Sequence, residues 1–170
     1  MEYSEKHYIN DLGIKMLFLI SAFTVFSILI FTIASEYKAG SDETSELIIV
    51  AIIAMVIEVL VFLLIFKTPL QIQIDSIGIH YKYRPFIWNE KTLTYSEITQ
   101  WKNRKISPFG EFNGWGYRKS VRKKMTGLVL KDGHGFEFLK RDNTSLVITS
   151  KNAEMMAIAI RKFASEKEIV

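Results

Sequence analysis

The sequence of 170 residues contains no cysteine and only three histidines, and both shortages exclude classes of active site. Without cysteine the chain cannot form a disulfide, an iron–sulfur cluster or a thiolate zinc site. The histidines, His7, His80 and His134, do not follow the spacing of metal ligands. No glycine-rich loop precedes a helical pattern, so no nucleotide-binding loop is predicted. We therefore expect no enzymatic activity, no metal and no cofactor.

Two long apolar runs fill most of the first 66 residues. They cover residues 14–34 and 47–66, and Glu58 is the one charge away from their ends. A helix of about 20 residues crosses the ~30 Å hydrocarbon core of a bilayer. The connecting segment, residues 35–46, is short and polar, so the two helices must run antiparallel. The sequence therefore predicts a membrane α-helical hairpin over residues 14–66.

Positive charge is concentrated after the second apolar run. Residues 67–170 contain 19 Lys/Arg and 10 Asp/Glu, whereas residues 1–66 contain 3 and 8. Lys and Arg near the ends of spanning helices mark the cytoplasmic side, and the loop 35–46 is mostly acidic. We therefore expect a two-pass protein of the inner (cytoplasmic) membrane with both termini in the cytoplasm. Residues 1–13 would be a cytoplasmic N-terminal segment, and residues 67–170 a cytoplasmic domain.

A cleaved signal peptide is the competing interpretation of the first run. A signal peptide begins with a basic segment and has an apolar core of about 7–15 residues. Here acidic residues outnumber basic ones around the start of the run, and the run is longer than such a core. The sequence therefore favours a retained membrane helix.

Glu58 lies near the middle of the second run, where an ionisable side chain indicates a functional site by default. When residues are counted inward from the cytoplasmic end of each helix, Glu58 lies at about the same depth as Thr24. Ser21, Thr24 and Ser27 form a polar stripe on the first helix. The functional interpretation is a proton-coupled or partner-binding carboxylate. The structural one is a carboxyl group that hydrogen-bonds Thr24 or Ser27. A helix–helix or oligomer contact through Glu58 is the third alternative.

After residue 66 the apolar period changes to two, as in strands with one buried face. The first such pattern is LQIQI at residues 70–74, and a turn at 75–78 separates it from the next. We expect about seven short antiparallel strands. Their predicted ranges are 70–74, 79–83, 93–95, 98–104, 125–130, 135–140 and 145–149.

Turn sequences separate the last three predicted strands, at residues 131–133 and 141–143. The first of these is interpreted as a polar hairpin turn. The chain then closes with a helix that has Asn152 as its N-cap and apolar residues at helical spacing. These apolar positions are Met156, Ala159, Ile160 and Phe163.

The order of elements resembles that of the pleckstrin-homology-like (PH-like) domains of bacterial membrane proteins. The segment GEFNGWGYR at residues 110–118 is also similar to a Gly-Gly-Trp-Gly-aliphatic-Arg signature. That signature recurs in uncharacterised bacterial proteins with two membrane helices and such a domain, although Asn113 replaces one glycine and Tyr117 the aliphatic residue. The resemblance implies an α+β fold, a small antiparallel PH-like β-barrel with a C-terminal capping helix. It also implies a membrane location, and it implies no reaction.

Residues 101–124 are the most unusual stretch of the predicted domain, because basic residues alternate with aromatic residues and glycines. The glycines predict a loop or irregular hairpin. A basic segment close to a cytoplasmic leaflet gains about 1 kcal/mol per Lys or Arg near anionic headgroups, and aromatic residues prefer the interface. The predicted lipid- or partner-binding residues are Lys102, Arg104, Lys105, Trp115, Arg118, Arg122, Lys123 and Lys124. The alternative is a solvated basic loop whose Phe112 and Trp115 fold onto the barrel.

We therefore expect a membrane-anchored, non-enzymatic binding or scaffolding protein whose cytoplasmic domain contacts anionic lipid of the inner leaflet or a protein partner. Nucleic acid is not expected, because no nucleic-acid-binding motif is present and phosphate attraction alone carries no sequence information. The alternative function is an accessory subunit of a membrane complex, or a homo-oligomer. It would assemble through the hairpin and depend on Glu58, Thr24 and Ser21.

Overall fold

The computed structural model describes residues 3–9, 12–40, 44–120 and 123–169. These residues belong to two compact units. The hairpin unit lies between residues 10 and 67, and the sheet unit combines the N-terminal strand with the chain from residue 68 onwards. The chain therefore leaves the sheet unit, forms the hairpin unit and returns.

Two helices make up the hairpin unit, α1 (Leu12–Ala39, 28 residues) and α2 (Thr44–Phe66, 23 residues). Both are long and apolar enough to cross a membrane, and Phe66, at the end of α2, is the one buried side chain among the described residues of the two helices. The helices pack against each other, with the ring centroids of Phe18 and Phe62 5.5 Å apart. The predicted pair of membrane-length helices is confirmed, and both helices are longer than their apolar runs.

The first sheet has four antiparallel strands in the order β1-β2-β3-β4. The bounds are β1 Tyr3–His7, β2 Leu70–Ile74, β3 Gly78–Tyr83 and β4 Ile87–Thr94. β1 precedes the hairpin unit in sequence and β2 follows it, yet they pair along their whole length, from Tyr3 opposite Ile74 to His7 opposite Leu70. Both ends of the hairpin unit are thus joined to one sheet.

The second sheet has five strands in the order β5-β8-β9-β7-β6. The bounds are β5 Ile98–Ile106, β6 Gly116–Ser120, β7 Met125–Val129, β8 Gly133–Lys140 and β9 Ser145–Thr149. The short helix α3 (Pro108–Phe112) joins β5 to β6. β7 and β9 are parallel, whereas the other neighbours are antiparallel.

The prediction of a hairpin turn at residues 131–133 is wrong. β9 lies between β7 and β8, so these two strands are consecutive in sequence but not paired. All five residues of β9 are buried, which suits a central position with neighbours on both sides. Residues 141–143 do join paired neighbours, β8 and β9.

The predicted small antiparallel barrel does not close among the described residues. A barrel needs two neighbours for every strand, but β1, β4, β5 and β6 are edge strands. β5 follows β4 directly in sequence and pairs with β8 instead. The C-terminal segment covers part of the free edge of β5, where the Ile169 amide donates a hydrogen bond of 2.8 Å to the Trp101 carbonyl. The fold is therefore two apolar helices, two open sheets and a C-terminal helix.

The C-terminal helix α4 (Ala153–Ala164) follows its sequence prediction closely. The Oδ1 atom of Asn152 accepts a hydrogen bond of 3.1 Å from the Met155 amide, which confirms the N-cap. Three of the four predicted apolar positions are buried. The fourth, Phe163, stacks on Tyr95 with ring centroids 5.6 Å apart.

All seven predicted strands are present, and two further strands, β1 and β6, were missed by the sequence analysis. β1 shows no apolar alternation because its buried positions are occupied by Glu5 and His7. In β6 the one buried position is Gly116, and the rest of the strand is polar or charged apart from its tyrosine. Neither strand carries the period-2 apolar pattern that marks the others.

Candidate functional site

The connections to the hairpin unit meet the sheet unit at one end of the first sheet. At this end His7 lies opposite Leu70, Leu70 opposite Tyr83, and Tyr83 opposite Ile87. Four residues separate β1 from α1, and three separate α2 from β2. The turn between β3 and β4 therefore shares its end of the sheet with both connections. We call this the exit end.

The basic segment 101–124 is mostly regular structure rather than the predicted loop or irregular hairpin. It runs through β5, α3 and β6, and β5 and β6 are opposite edges of the second sheet. Its predicted site residues therefore separate into two groups, with Lys102, Arg104 and Lys105 on β5, and with Arg118, Lys123 and Lys124 on β6 or just after it. Arg122 lies outside the described residues.

Arg104 on β5 is held in an ion-pair network. Its guanidinium donates hydrogen bonds of 2.9 and 2.6 Å to Glu111 and one of 2.7 Å to Glu137. The Nζ atom of Lys102 lies 3.5 Å from the same Glu137 oxygen. The hydrogen bonds between Arg104 and Glu111 raise the pKa of the arginine and lower that of the glutamate. Arg104 therefore joins α3 to the sheet, and its guanidinium is occupied by these two glutamates rather than available to an outside ligand. Lys105, by contrast, is exposed.

Trp115 packs against α3 rather than projecting from the domain. Its ring meets Phe109 edge to face, with centroids 4.4 Å apart. Its Nε1 atom is buried and has no hydrogen-bond partner among the described residues. Phe112 is buried against β5, β7 and β9. Of these three aromatic residues, only Phe109 presents most of its ring to solvent.

Exposed cations remain on β6 and the turn after it. These β6 cations are Arg118, Lys119, Lys123 and Lys124, and none forms an ion pair within the described part of the chain. Gly114 has φ +128°, a conformation that favours glycine, and the Nη2 atom of Arg118 would lie 3.0 Å from a Cβ at this position. An open groove runs between α3 and β6, with Glu111 on one side and Tyr117, Arg118 and Lys119 on the other.

The start of β6 lies beside the exit end. The ring of Tyr117 stacks on Phe86, in the turn between β3 and β4, with centroids 6.1 Å apart. The Tyr83 hydroxyl would be 3.7 Å from a Cβ at Gly116. The β6 cations therefore begin next to the end of the sheet through which the chain passes to and from the hairpin unit.

A buried polar cluster that was not predicted joins β1 to the segment before α4. The Glu5 carboxylate accepts hydrogen bonds from the Tyr3 hydroxyl, from Ser150 Oγ at 2.6 Å and from the Lys151 amide at 2.7 Å. Burial acts to raise the pKa of Glu5, but these hydrogen bonds lower it below its ordinary value. His7 Nδ1 lies 3.7 Å from Glu5, and burial lowers the pKa of His7 to about 4. Burial also raises the pKa of Tyr3.

This cluster positions β1 and is not arranged for nucleophilic catalysis. Ser150 donates its hydrogen bond to Glu5, and no hydrogen bond joins its hydroxyl to His7 among the described residues. No sequence signal marks the cluster, since 145 positions separate Glu5 from Ser150.

The hairpin unit separates the predicted intramembrane residues. Glu58 belongs to a half-buried row on α2 with Leu47, Ala51 and Ala54, whose helical spacing defines the face that packs on α1. Ser21 and Thr24 are exposed, and Thr24 Oγ1 donates a hydrogen bond of 2.9 Å to the Ile20 carbonyl of its own helix. The structure therefore does not bring Glu58 together with Ser21 and Thr24.

Across residues 3–9, 12–40, 44–120 and 123–169, no group of three His, Asp or Glu side chains is placed to hold a metal ion. Comparisons with protein families, with curated proteins and with solved structures found no match for this chain.

Proposed function

We propose that this protein is a two-pass protein of the inner membrane whose sheet unit lies in the cytoplasm and binds the anionic headgroups of the inner leaflet. The β6 cations make this contact, and the activity is binding rather than catalysis. The observation that carries the proposal is their exposure without ion pairs, on a unit that is joined to two membrane-length helices at one end of its first sheet.

The charge distribution supports this orientation. The sheet unit contains most of the basic residues, and the loop between the two helices is acidic. Lys and Arg flanking spanning segments stay on the cytoplasmic side. The pairing of β1 with β2 supports a chain that returns to the side from which it enters the membrane.

The energetics favour contact with lipid over free solution. Each Lys or Arg near an anionic leaflet contributes about 1 kcal/mol, so the four β6 cations together supply roughly 4 kcal/mol. Both connections to the hairpin unit are only a few residues long. Such tethering raises the effective concentration of headgroups, and even weak contacts would then be occupied.

A PH-like identity for the sheet unit is part of this proposal. The strand-rich order and the C-terminal helix support it. The two separate sheets and the parallel pairing of β7 with β9 distinguish the unit from the small antiparallel barrel that the resemblance implies.

The test uses the full chain, because β1 lies before the hairpin unit and would be lost from a fragment that starts after α2. The protein is placed in nanodiscs of phosphatidylcholine alone or mixed with phosphatidylglycerol, and amide hydrogen exchange is followed over residues 116–124. We expect slower exchange there when the anionic lipid is present. The difference should shrink as salt is added, because salt screens exposed charges.

A charge-matched pair of variants gives the control. Arg118→Gln with Lys119→Gln should remove the effect of the anionic lipid. Lys105→Gln with Lys140→Gln removes the same charge from β5 and β8, at the opposite side of the second sheet, and should preserve it. Equal exchange in both lipids for the wild-type protein would contradict lipid binding and leave a protein partner as the ligand of the β6 cations.

A further inference from the structure

The turn between β3 and β4, together with the first residues of β4, presents two large aromatic side chains to solvent. This β3–β4 tip comprises residues 84–88, of which Phe86 is 50% exposed and Trp88 66% exposed. Neither residue belongs to the predicted lipid- or partner-binding set. Large apolar side chains usually gain about 1.5–3 kcal/mol from burial, so two that stay exposed only two positions apart indicate a surface that meets another apolar phase.

The β3–β4 tip lies at the exit end of the first sheet. Tyr83, which precedes it, and Ile87, which lies within it, continue the row formed by His7 and Leu70. From that row the chain reaches α1 after four residues and comes from α2 after three. If the two helices span a bilayer, the sheet end that carries the tip is the one closest along the chain to the lipid surface.

A basic side chain lies beside one of the aromatic residues of the tip, and a second one is close to it. The Arg84 guanidinium carbon lies 5.9 Å from the centre of the Trp88 ring. Arg84 and Lys82 also line an open groove with Pro69, the residue just before β2. The nearest acidic side chain along β4, Glu90, is directed to His80, with 3.6 Å between Oε1 and Nδ1.

The opposite end of the first sheet has a different character. There Asp75 accepts hydrogen bonds from the amides of Ile77 and Gly78, and its Oδ1 atom lies 3.1 Å from His80 Nε2. Ile77 is 61% exposed but has no aromatic or basic neighbour within the turn of residues 75–78. Among the described residues of the first sheet, the exposed aromatic rings with a cation beside them therefore lie at the exit end and not in the turn of residues 75–78.

We infer that the β3–β4 tip rests in the headgroup zone of the same leaflet, with Phe86 and Trp88 at the membrane–water interface and Arg84 on a lipid phosphate. Trp and Tyr rings favour this zone because one face meets acyl chains while polar groups remain hydrated. The stacking of Phe86 on Tyr117 makes the tip continuous with the β6 cations. The inference rests on the proposed membrane location and adds an apolar anchor to the electrostatic contact.

The absence of cysteine from the chain allows a direct test with single nitroxide labels. Full-length Phe86→Cys, Trp88→Cys, Ile77→Cys and Ile53→Cys proteins are labelled and reconstituted in vesicles of phosphatidylcholine and phosphatidylglycerol. Collision rates with oxygen, which concentrates in lipid, are compared with those of a water-soluble nickel chelate. Phe86 packs on Tyr83, so Phe86→Cys could disturb the fold. Trp88 is mostly exposed, and Trp88→Cys therefore provides a second label at the tip that does not remove such a contact.

We expect oxygen to dominate at positions 86 and 88 and the nickel chelate to dominate at position 77. Position 53, in the middle of α2, reports whether the hairpin unit lies in lipid. A lipid signal at 53 together with water-like signals at both 86 and 88 overturns the inference and leaves the proposed anchorage standing. A water-like signal at 53 overturns both. Lipid signals at 86 and 88 without slower hydrogen exchange at residues 116–124 support the tip and contradict the contact through the β6 cations.

Discussion

Ser150 Oγ donates a hydrogen bond of 2.6 Å to the Glu5 carboxylate, although 145 positions separate the two residues in sequence. The same carboxylate accepts the Lys151 amide at 2.7 Å and the Tyr3 hydroxyl. β1 is the strand from which the chain enters the hairpin unit. The cluster therefore fixes one of the two connections between the sheet unit and the membrane-length helices.

Removal of the Glu5 carboxylate should destabilise the sheet unit. Glu5→Leu leaves three donors without an acceptor, and we expect the free energy of unfolding to fall by about 3 kcal/mol. Glu5→Gln keeps one carbonyl acceptor and should cost about 1 kcal/mol. Denaturant unfolding of the full chain in detergent, followed by tryptophan fluorescence, measures both. Glu154→Gln, at the start of α4, is the control, and a Glu5→Leu protein as stable as that control would contradict this role.

His7 should make the sheet unit less stable in mild acid. Its pKa of about 4 in the folded protein is below the ordinary value of about 6.5, so the unfolded chain binds the proton more tightly. Stability is therefore complete above about pH 6.5 and falls as the pH drops towards 4, by up to about 3 kcal/mol. Below about pH 4.5 the lowered pKa of Glu5 adds to this loss.

His7→Phe should flatten the pH dependence of the melting temperature between about pH 6.5 and 4.5. The exposed His134 provides the matched control, since His134→Phe should leave the slope unchanged. If the His7→Phe protein keeps the wild-type slope, another group is responsible for it.

Arg104 and Arg118 should have opposite phenotypes although both were predicted to bind lipid or a partner. Arg104→Met leaves Glu111 and Glu137 without their guanidinium and should cost about 2 kcal/mol of stability. It should preserve the effect of anionic lipid on hydrogen exchange. Arg118→Gln should weaken that effect and change stability by less than about 0.5 kcal/mol. Stability and the effect of anionic lipid on hydrogen exchange are measured for both variants. If the two variants changed both quantities equally, the assignment of Arg104 to structure and Arg118 to lipid binding would be refuted.

The close packing of α3 on β7 depends on glycine at position 127. A Cβ there would lie 2.6 Å from the Cε1 atom of the buried Phe112 ring. Gly127→Ala should therefore cost about 1–3 kcal/mol through overpacking. Phe112→Ala removes the clashing ring atoms, so the double variant should be more stable than the sum of the two single effects. Strict additivity in denaturant unfolding would show that the ring and the added methyl group do not meet.

Glu58 is expected to act within its own hairpin. Phe18 packs on Phe62, and one helical turn along from each of these are Ala22 and Glu58. Glu58→Leu should therefore leave the mass of the detergent-solubilised protein unchanged in native mass spectrometry. Loss of an assembly in this variant, but not in Thr24→Val, would favour the accessory-subunit alternative.

Strong periodic patterns in the sequence were sufficient to predict most of the elements. The apolar runs predicted both long helices, and the alternation of residues 70–74 and the spacing around Met156 predicted a strand and α4. The pairing of these elements was not predictable in the same way. The position of β9 between β7 and β8 depends on its complete burial, which sequence periodicity does not distinguish from a buried helix segment.

The candidate site was predicted in composition but not in arrangement. Basic residues of both β5 and β6 appeared equivalent in sequence. Folding brings Glu111 and Glu137 to Arg104 on β5, whereas Arg118 on β6 has no acidic partner among the described residues. β1 was missed because a buried glutamate and histidine occupy its inner face. The location of Phe86 and Trp88 at the exit end follows from the strand register, which the sequence did not predict.

The central claim is that the hairpin unit spans the membrane and leaves the sheet unit on the cytoplasmic side. Single cysteines at Lys38, near the end of α1, and at Glu166, after α4, are exposed in intact cells to a maleimide that cannot cross membranes. We predict labelling of Lys38→Cys in intact cells and labelling of Glu166→Cys only after permeabilisation. Labelling of Glu166→Cys in intact cells would contradict the proposed orientation and, with it, binding to the inner leaflet.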